Sequence, residues 1–217
     1  MAEVKLVKPP PEPKGGPTLE QVNLLLAPAD ELLRSQLTVL AMTGCRSGEL
    51  QRLRPEDVDL AGGWVHIVSR AGAETKTRTS RKIPIHPRRR AVLEALPTRN
   101  RAYPFTAGAS SKFPDCDNHI SAKRLNEQFG RLCESLRMPT GRMDGYVVHS
   151  PWHFIETICV NAGIPQRVID TWLGHRSDKS MGAGYYKLAD VDSQAFMTKV
   201  PFGTGMAKAD TLREMGT

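Results

Sequence analysis

The stretch TGCRSGEL, residues 43–50, decides the fold of this chain. Gly44 interrupts an apolar helical pattern and Ser47 restarts one, so Arg46 stands at a helix start. Glu49 lies one helical turn further on, within reach of the Arg46 guanidinium. Because Gly44 has no side chain to block a ligand, this arrangement would allow Arg46 to approach a phosphate closely. The alternative interpretation is a surface arginine paired with a helix glutamate.

Outward from this stretch, the sequence predicts a mainly helical chain with a small antiparallel β-sheet, an α+β fold. Thr18 and Gln21 form a capping-box pattern at the first helix. Alternating apolar residues predict two strands joined by a polar hairpin. The predicted strands are 64–68 and 83–85, and the helices that follow the one opening at Thr18 are predicted at 31–42, 47–53, 87–96, 119–137, 151–162, 165–173 and 191–199. Residues 98–118 are predicted to be a loop.

The composition favours some classes of protein and excludes others. The chain has 217 residues, and its 30 Lys and Arg against 23 Asp and Glu give a net charge of +7, which favours a polyanionic partner. No apolar run reaches the ~18 residues that a membrane helix needs, and no secretory signal pattern is present. The cysteines lie too far apart for a disulfide framework: Cys45, Cys116, Cys133 and Cys159. We expect a cytoplasmic, nucleoid-associated protein with no membrane partner.

The distribution of proline and glycine predicts one domain between two tails. Residues 1–17 hold five prolines and are predicted to form a flexible tail or a linker stub. Residues 18–202 are predicted to form one compact domain, without an internal repeat. Residues 203–217 are predicted to be a loose C-terminal tail.

The polar hairpin between the predicted strands carries a cluster of cations in the run TKTRTSRK, residues 75–82. A lysine at a hairpin tip, here Lys76, is able to enter a DNA groove or to protonate a leaving oxygen. Arg78, Arg81 and Lys82 follow it closely. The alternative interpretation is a solvated basic turn.

Two later motifs hold histidines. HSPWH, residues 149–153, opens a predicted helix, because a Ser-Pro pair is favoured at helix starts. LGH, residues 173–175, ends another helix, and Tyr185 and Tyr186 follow a glycine-containing loop. The first motif holds two histidines four residues apart, but the H-E-x-x-H pattern is absent, so no metal site is expected. A tyrosine after such a loop is able to fold back toward His175. The alternative interpretation is that the aromatic residues pack on the core.

Taken in this order, the motifs resemble those of the catalytic domain of tyrosine recombinases, the phage integrase family, over about residues 18–200. TGCRSGEL matches the family's T-G-x-R-x-x-E-L motif, and LRPEDVDL at residues 53–60 matches the run that follows it. The resemblance implies the tyrosine-recombinase catalytic-domain fold. The catalytic residues that it implies are Arg46, Lys76, His149, His175 and the nucleophile Tyr185.

Two positions depart from the family pattern. The family's H-x-L-R-H box is HSPWH here, so Trp152 stands where the second catalytic arginine belongs. The interval from His175 to the first tyrosine is ten residues, one more than is usual in the family, so Tyr186 is a second candidate nucleophile. Because tryptophan is neutral, we expect impaired DNA cleavage unless another arginine, such as Arg176, takes over the role.

The resemblance implies site-specific DNA recombination or integration, in which strands are cut and rejoined through a 3′-phosphotyrosyl intermediate. It implies double-stranded DNA as the partner, self-association on DNA as a tetramer, and no cofactor or metal. The cations expected to contact DNA are Arg78, Arg81, Lys82, Arg88, Arg89 and Arg90. One alternative is a catalytically inactive DNA-binding relic or regulator on the same fold. Another is the related type IB topoisomerase reaction, which the short chain and the LGH motif disfavour.

Overall fold

The computed structural model describes residues 16–96, 103–106, 111–115, 118–141, 146–148, 150–175 and 188–202. For residues 150–152 it describes the backbone alone. His149, Arg176, Tyr185 and Tyr186 lie outside these residues, as do the predicted C-terminal tail and most of the predicted N-terminal tail.

The N-terminal helices begin where the sequence predicts. Helix α1 spans Leu19–Leu26, α2 spans Glu31–Thr43 and α3 spans Ser47–Gln51. At α1 the Gln21 N–H donates to the Thr18 hydroxyl (3.2 Å) and the Thr18 N–H donates to the Gln21 side chain (2.8 Å), which confirms the capping box. Gly44 ends α2 in the left-handed conformation, with a φ of 59°.

A three-stranded antiparallel sheet follows, in the order β1–β2–β3. Strand β1 is Val58–Asp59, β2 is Trp64–Ile67 and β3 is Arg81–Pro84. Val65 pairs with Val58 on one side and with Ile83 on the other, and both Val65 and Ile83 are buried in the core. Strand β1 was not predicted from the sequence, because two residues are too few to show alternation. The connection from β2 to β3 is the predicted polar hairpin.

The second half of the described chain is helical. After a 3₁₀ turn at Pro87–Arg89, the helices are α4 (Arg90–Glu94), α5 (Ala122–Ser135), α6 (Ser150–Asn161), α7 (Gln166–Leu173) and α8 (Asp190–Thr198). Each of them overlaps a predicted helix. The predicted helix at 87–96 is divided because the ring of His86 accepts a hydrogen bond from the Arg88 N–H (3.2 Å) and caps the 3₁₀ turn. Among the described helices, none is long and apolar enough to cross a membrane.

Helix α2 forms the centre of the core. It is buried from Gln36 to Thr43 and packs against α1, α3, α4, α5 and α6. Burial of apolar surface stabilises the fold by about 25 cal/mol per Å², so this helix is firmly held. Because α2 ends at Gly44, the packed core also fixes the position of Arg46, two residues later.

The described chain begins in close contact with α6. A Cβ atom placed on Gly16 would lie 2.7 Å from the carbonyl carbon of His153 and 2.8 Å from the nitrogen of Phe154, closer than non-bonded atoms approach. Pro17 is also buried. Two residues of the segment predicted as a tail, Gly16 and Pro17, therefore pack against the domain.

Candidate active site

Arg46 lies just before α3, where Glu49 holds it. Its backbone N–H donates to the Glu49 carboxylate (2.8 Å), and its Nη1 lies 3.4 Å from the other carboxylate oxygen. The Arg46 side chain is 25% exposed, so part of the guanidinium faces solvent. Glu49 therefore lies within reach of Arg46, as the sequence predicts, and the guanidinium has further donors that Glu49 does not use.

A second arginine, Arg81, binds the same carboxylate from strand β3. Its Nη1 and Nη2 donate to the two oxygens of Glu49 at 3.1 and 2.8 Å, which is the bidentate geometry that arginine and carboxylate favour. Its Nε donates to the backbone carbonyl of Trp172 in α7 (2.9 Å). The two side chains are only 6% and 5% exposed. A buried ion pair therefore connects α3, β3 and the end of α7.

The electrostatics of Glu49 follow from these contacts. Burial acts to raise the pKa of Glu49, but the hydrogen bond and charge of Arg81, together with the N–H and charge of Arg46, outweigh it. The pKa of Glu49 therefore lies below its ordinary value, and the side chain is an anion at neutral pH. One buried negative charge is shared between two arginines.

His175 lies at the turn that ends α7. Gly174 takes the left-handed conformation there (φ 70°), and the His175 N–H donates to the Asp170 carbonyl (2.9 Å). The ring Nδ1 of His175 lies 3.5 Å from the Asp170 carboxylate. A Cβ atom on Gly174 would lie 3.0 Å from Cδ of Arg81, so the turn packs directly on that arginine. Arg46 and His175 are thus linked through Glu49 and Arg81.

Lys76 is exposed in a tight turn between β2 and β3. The Arg78 N–H donates to the Thr75 carbonyl (3.0 Å), and the Thr75 hydroxyl donates to the Thr79 carbonyl (2.9 Å), so the base of the turn is fixed. Arg78 has a φ of 54°, in the left-handed region. Within the described part of the chain Lys76 forms no ion pair with a carboxylate, and its ammonium group is presented to solvent.

The six arginines and lysines predicted to contact DNA occupy different environments. Arg78 and Arg88 are exposed. Arg90 pairs with Glu94 one turn along α4 (2.7 Å). Lys82 pairs with Asp190 of α8, and its Nζ lies 4.2 Å above the ring of Trp64. The side chain of Arg81 is only 6% exposed and Arg89 is buried, so contact of these two with DNA stays a prediction.

Arg89 is fully buried, with 0% exposure. Its Nη2 donates to the Phe202 carbonyl (3.1 Å), and the guanidinium carbon lies 5.6 Å from the centre of the Phe202 ring. Burial, and then the charge of Arg88, lower the pKa of Arg89 to about 10. In the run Arg88–Arg90 the 3₁₀ turn directs the middle residue inward, which three consecutive arginines in a sequence do not reveal.

Several predicted site residues fall outside the described positions. His149, Tyr185 and Tyr186 are among them, and Trp152 is placed only by its backbone, in the first turn of α6. Sequence reasoning missed the structural role of Arg81. Strand alternation offered a signal, because Arg81 and the buried Ile83 are two residues apart and share one face of β3.

Comparison with known proteins identifies the family and the fold of this chain. Residues 18–191 match the model of the Phage integrase family. The chain belongs to the phage integrase family. Two curated relatives of this integrase-family chain come from Sinorhizobium fredii (strain NBRC 101917 / NGR234). "Putative integrase/recombinase y4gC" is 28% identical over 169 residues, which are 76% of this chain and 81% of the relative. A second, y4rE, is 28% identical over 183 residues, covering 78% of this chain and 54% of the relative.

Solved integrase structures share the fold. The integrase from mycobacterium phage Brujita matches with a TM-score of 0.68 at 18% identity, over 93% of this chain and 63% of that chain. The Tn1549 transposon integrase in complex with a circular intermediate DNA matches with a TM-score of 0.61 at 22% identity, over 87% and 66%. A lambda integrase dimer bound to a COC′ core site gives 0.55 at 17% identity, over 81% and 61%. This integrase-family chain therefore spans somewhat less than two thirds of the Brujita and lambda chains and about two thirds of the Tn1549 chain.

Proposed function

We propose that this chain cuts and rejoins DNA in site-specific recombination or integration, through a 3′-phosphotyrosyl intermediate. The observation that supports this most is the buried Glu49–Arg81 pair, which links Arg46 to the turn that carries His175. Arg46 and His175 are two residues at which the chain matches the family's catalytic motifs. They come from positions far apart in the sequence and are linked by the hydrogen bonds of Glu49 and Arg81 and by the packing of Gly174 on Arg81.

In the proposed reaction a tyrosine attacks a DNA phosphodiester. The phenolic oxygen of Tyr185, or of Tyr186 as the second candidate, bonds to phosphorus, and the bond from phosphorus to the 5′ oxygen breaks. His149 and His175 donate hydrogen bonds and assist removal of the phenolic proton. Lys76 gives a proton to the departing 5′ oxygen, which leaves as a hydroxyl. The 5′-hydroxyl of a second strand reverses the step, and the phosphotyrosyl bond conserves the energy for it.

Arg46 supplies positive charge where negative charge develops. During attack the non-bridging phosphate oxygens gain charge, and a guanidinium with a fixed direction stabilises them without reorganisation. Its position between the end of α2 and the start of α3, and its hydrogen bonds with Glu49, provide that fixed direction. Arginine suits this role because its charge is permanent and its donors form a planar fork.

Trp152 weakens the proposed catalysis. It occupies the position of the family's second catalytic arginine, and an indole is neutral with a single N–H donor. Loss of one oxyanion donor costs about 10²–10³ in rate, and loss of a charged bidentate group costs at least that much. We therefore propose that cleavage by this chain is slow.

A second function is favoured by the same residue. If the missing charge abolishes chemistry, the chain acts as a DNA-binding protein on the recombinase fold, a relic or a regulator. The exposed cations of the hairpin turn and of the 3₁₀ turn, Lys76, Arg78 and Arg88, would hold the phosphate backbone in either case. The DNA-bound states of the Tn1549 and lambda integrases support DNA as the partner, and the lambda dimer supports self-association on DNA.

Covalent trapping distinguishes the two functions. A library of nicked duplexes with randomised sequence around the nick removes the need to know the target site. The chain is incubated with the library, and adducts that resist detergent are isolated and sequenced. We expect Trp152→Arg to form adducts at least about 100-fold faster than the wild type.

The controls identify the nucleophile. In the Trp152→Arg background, Tyr185→Phe should abolish the adduct and Tyr186→Phe should leave it. The opposite result transfers the nucleophile to Tyr186. Ready adduct formation by the wild type, with no gain from Trp152→Arg, would contradict the proposed role of position 152. DNA binding by every variant with no adduct from any of them would favour the binding protein.

A further inference from the structure

We propose that Arg81 is a positioning residue for this site, which takes up the negative charge of Glu49 and holds the His175 turn. Arg46 then keeps its own charge for a DNA phosphate. The inference rests on the proposed function, because that function assigns the phosphate to Arg46. It goes beyond the family's catalytic motifs, since Arg81 is in none of those matched here.

The first step of the proposal is the net charge of the cluster formed by Arg46, Glu49 and Arg81. The Glu49 carboxylate lies closer to Arg81, at 2.8 and 3.1 Å, than to the Arg46 guanidinium, at 3.4 Å. Arg46 and Glu49 alone would form a neutral pair, which attracts a phosphate only weakly. With Arg81 added, the three groups carry a net charge of +1. Arg81 thus leaves Glu49 able to orient Arg46 without neutralising it.

The side chains of Arg81 and Arg46 differ in solvent exposure, and this difference gives them different roles. The Arg81 side chain is 6% exposed, and its guanidinium donates to Glu49 and to the Trp172 carbonyl, so it presents little surface to a ligand. The Arg46 side chain is 25% exposed and retains donors on its solvent side. A charge buried beside the site still acts at short range, because the protein interior screens it less than water does.

The second step is the hold on the His175 turn. The Trp172 carbonyl lies in the last turn of α7, where carbonyls lack partners within the helix. Arg81 Nε donates to it at 2.9 Å, and a cation is favourable at that end of a helix. Gly174 packs on the Arg81 side chain, and His175 is the next residue. The conformation that presents His175 therefore depends on Arg81.

An anion titration tests the charge step without any DNA cleavage. Four proteins cover three net charges of the cluster: wild type (+1), Arg81→Met (0), Arg81→Met with Glu49→Gln (+1), and Glu49→Gln (+2). Sulfate, whose charge does not change with pH, is titrated at constant ionic strength while the Nε–H signal of Arg46 is followed by ¹⁵N-resolved NMR. Thermal melting first establishes that each protein is folded.

We expect the sulfate affinity of Arg46 to follow the charge count. Arg81→Met should bind about tenfold more weakly than the wild type, and adding Glu49→Gln should restore the affinity to within about twofold. Glu49→Gln alone should bind at least as tightly as the wild type. A purely structural role predicts that every variant binds more weakly, with the double variant weakest, and that order would overturn the proposal. Any two folded variants suffice to distinguish the orders.

Hydrogen exchange at the His175 amide tests the second step. This N–H donates to the Asp170 carbonyl, so it is protected while the turn is held. The double variant regains the charge but not the hydrogen bond to Trp172, so it should bind sulfate normally and exchange the His175 amide about tenfold faster. An unchanged exchange rate of the His175 amide in the double variant would contradict the proposed hold of Arg81 on the His175 turn.

The outcome is separable from the proposed function. If the charge order holds and no variant forms a DNA adduct, Arg81 positions a phosphate-binding site in a protein without chemistry. If Trp152→Arg forms adducts and the charge order fails, the recombinase function stands and the role given to Arg81 falls.

Discussion

The two buried arginines, Arg81 and Arg89, are held in different ways. Arg81 forms a bidentate ion pair with the buried carboxylate of Glu49. Arg89 lies over the ring of Phe202 and beside the cation of Arg88, and its pKa is lowered to about 10. Glu49 stabilises the charge of Arg81, whereas burial and the charge of Arg88 lower the pKa of Arg89. Residues of one type in two basic segments therefore contribute differently to stability and to the site.

The largest expected difference is in stability. Arg81→Met leaves Glu49 buried without its main partner and should lower the free energy of unfolding by about 3–5 kcal/mol. Arg89→Met keeps an apolar side chain in place, and loss of the hydrogen bond to Phe202 should itself cost about 1–2 kcal/mol. Urea unfolding of both variants measures the two values. Equal losses of unfolding free energy in the two variants would mean that the ion pair with Glu49 gives Arg81 no greater effect on stability than Arg89 has.

The second prediction concerns acid. Burial, and then the charges of Arg89 and Arg88, lower the pKa of His86 from 6.5 to about 4. Between these values the unfolded chain binds a proton that the folded chain does not, so stability falls as the pH falls through this window. The loss should be about 2–3 kcal/mol. The Glu49 region loses stability only at lower pH, because the pKa of Glu49 is below its ordinary 4.5.

Urea unfolding of the wild type and of His86→Gln, at a series of pH values across this window, checks the assignment. The variant should lose most of the slope that the wild type shows there. A slope that survives the substitution unchanged would place the responsible group elsewhere.

The third prediction isolates the contact between Arg81 and the His175 turn. Gly174 and Gly163 have nearly the same φ, 70° and 71°, but a Cβ on Gly174 would meet Arg81 at 3.0 Å, and one on Gly163 would meet nothing within 4 Å. Gly163→Ala should cost about 1 kcal/mol from backbone strain alone, and Gly174→Ala about 2 kcal/mol. Thermal unfolding compares the two. A cost no larger at Gly174 would show that the Arg81 side chain yields easily.

The smallest effect on stability is expected at the exposed end of the basic hairpin. Arg78→Ala should change the free energy of unfolding by less than about 0.5 kcal/mol, yet it should lower the salt dependence of DNA binding by about one phosphate contact. Arg89→Met should leave that dependence unchanged. Fluorescence anisotropy with a labelled duplex at several salt concentrations measures both. An altered salt dependence in Arg89→Met would show that Arg89 contributes to DNA binding despite its burial.

Most of the fold was predictable because its signals are local. The capping box at Thr18, the left-handed Gly44 and the alternation of β2 each follow from neighbouring residues. The partner of Arg81 was not predictable in this way, because Glu49 and Trp172 are distant in sequence and only packing brings them together. The inward turn of Arg89 likewise depends on the fold. Trp152 is the opposite case, since the missing charge is apparent from the residue type alone.

The contact of Gly16 with α6 has a mechanical consequence. Gly16 has no side chain to separate it from the helix backbone at His153 and Phe154. No flexible group therefore lies between them to absorb a displacement. A displacement of Gly16 toward α6 would act directly on the helix backbone at His153 and Phe154. Position 152 lies in that part of the helix. The position of Gly16 and the geometry of the helix start that holds Trp152 are therefore coupled.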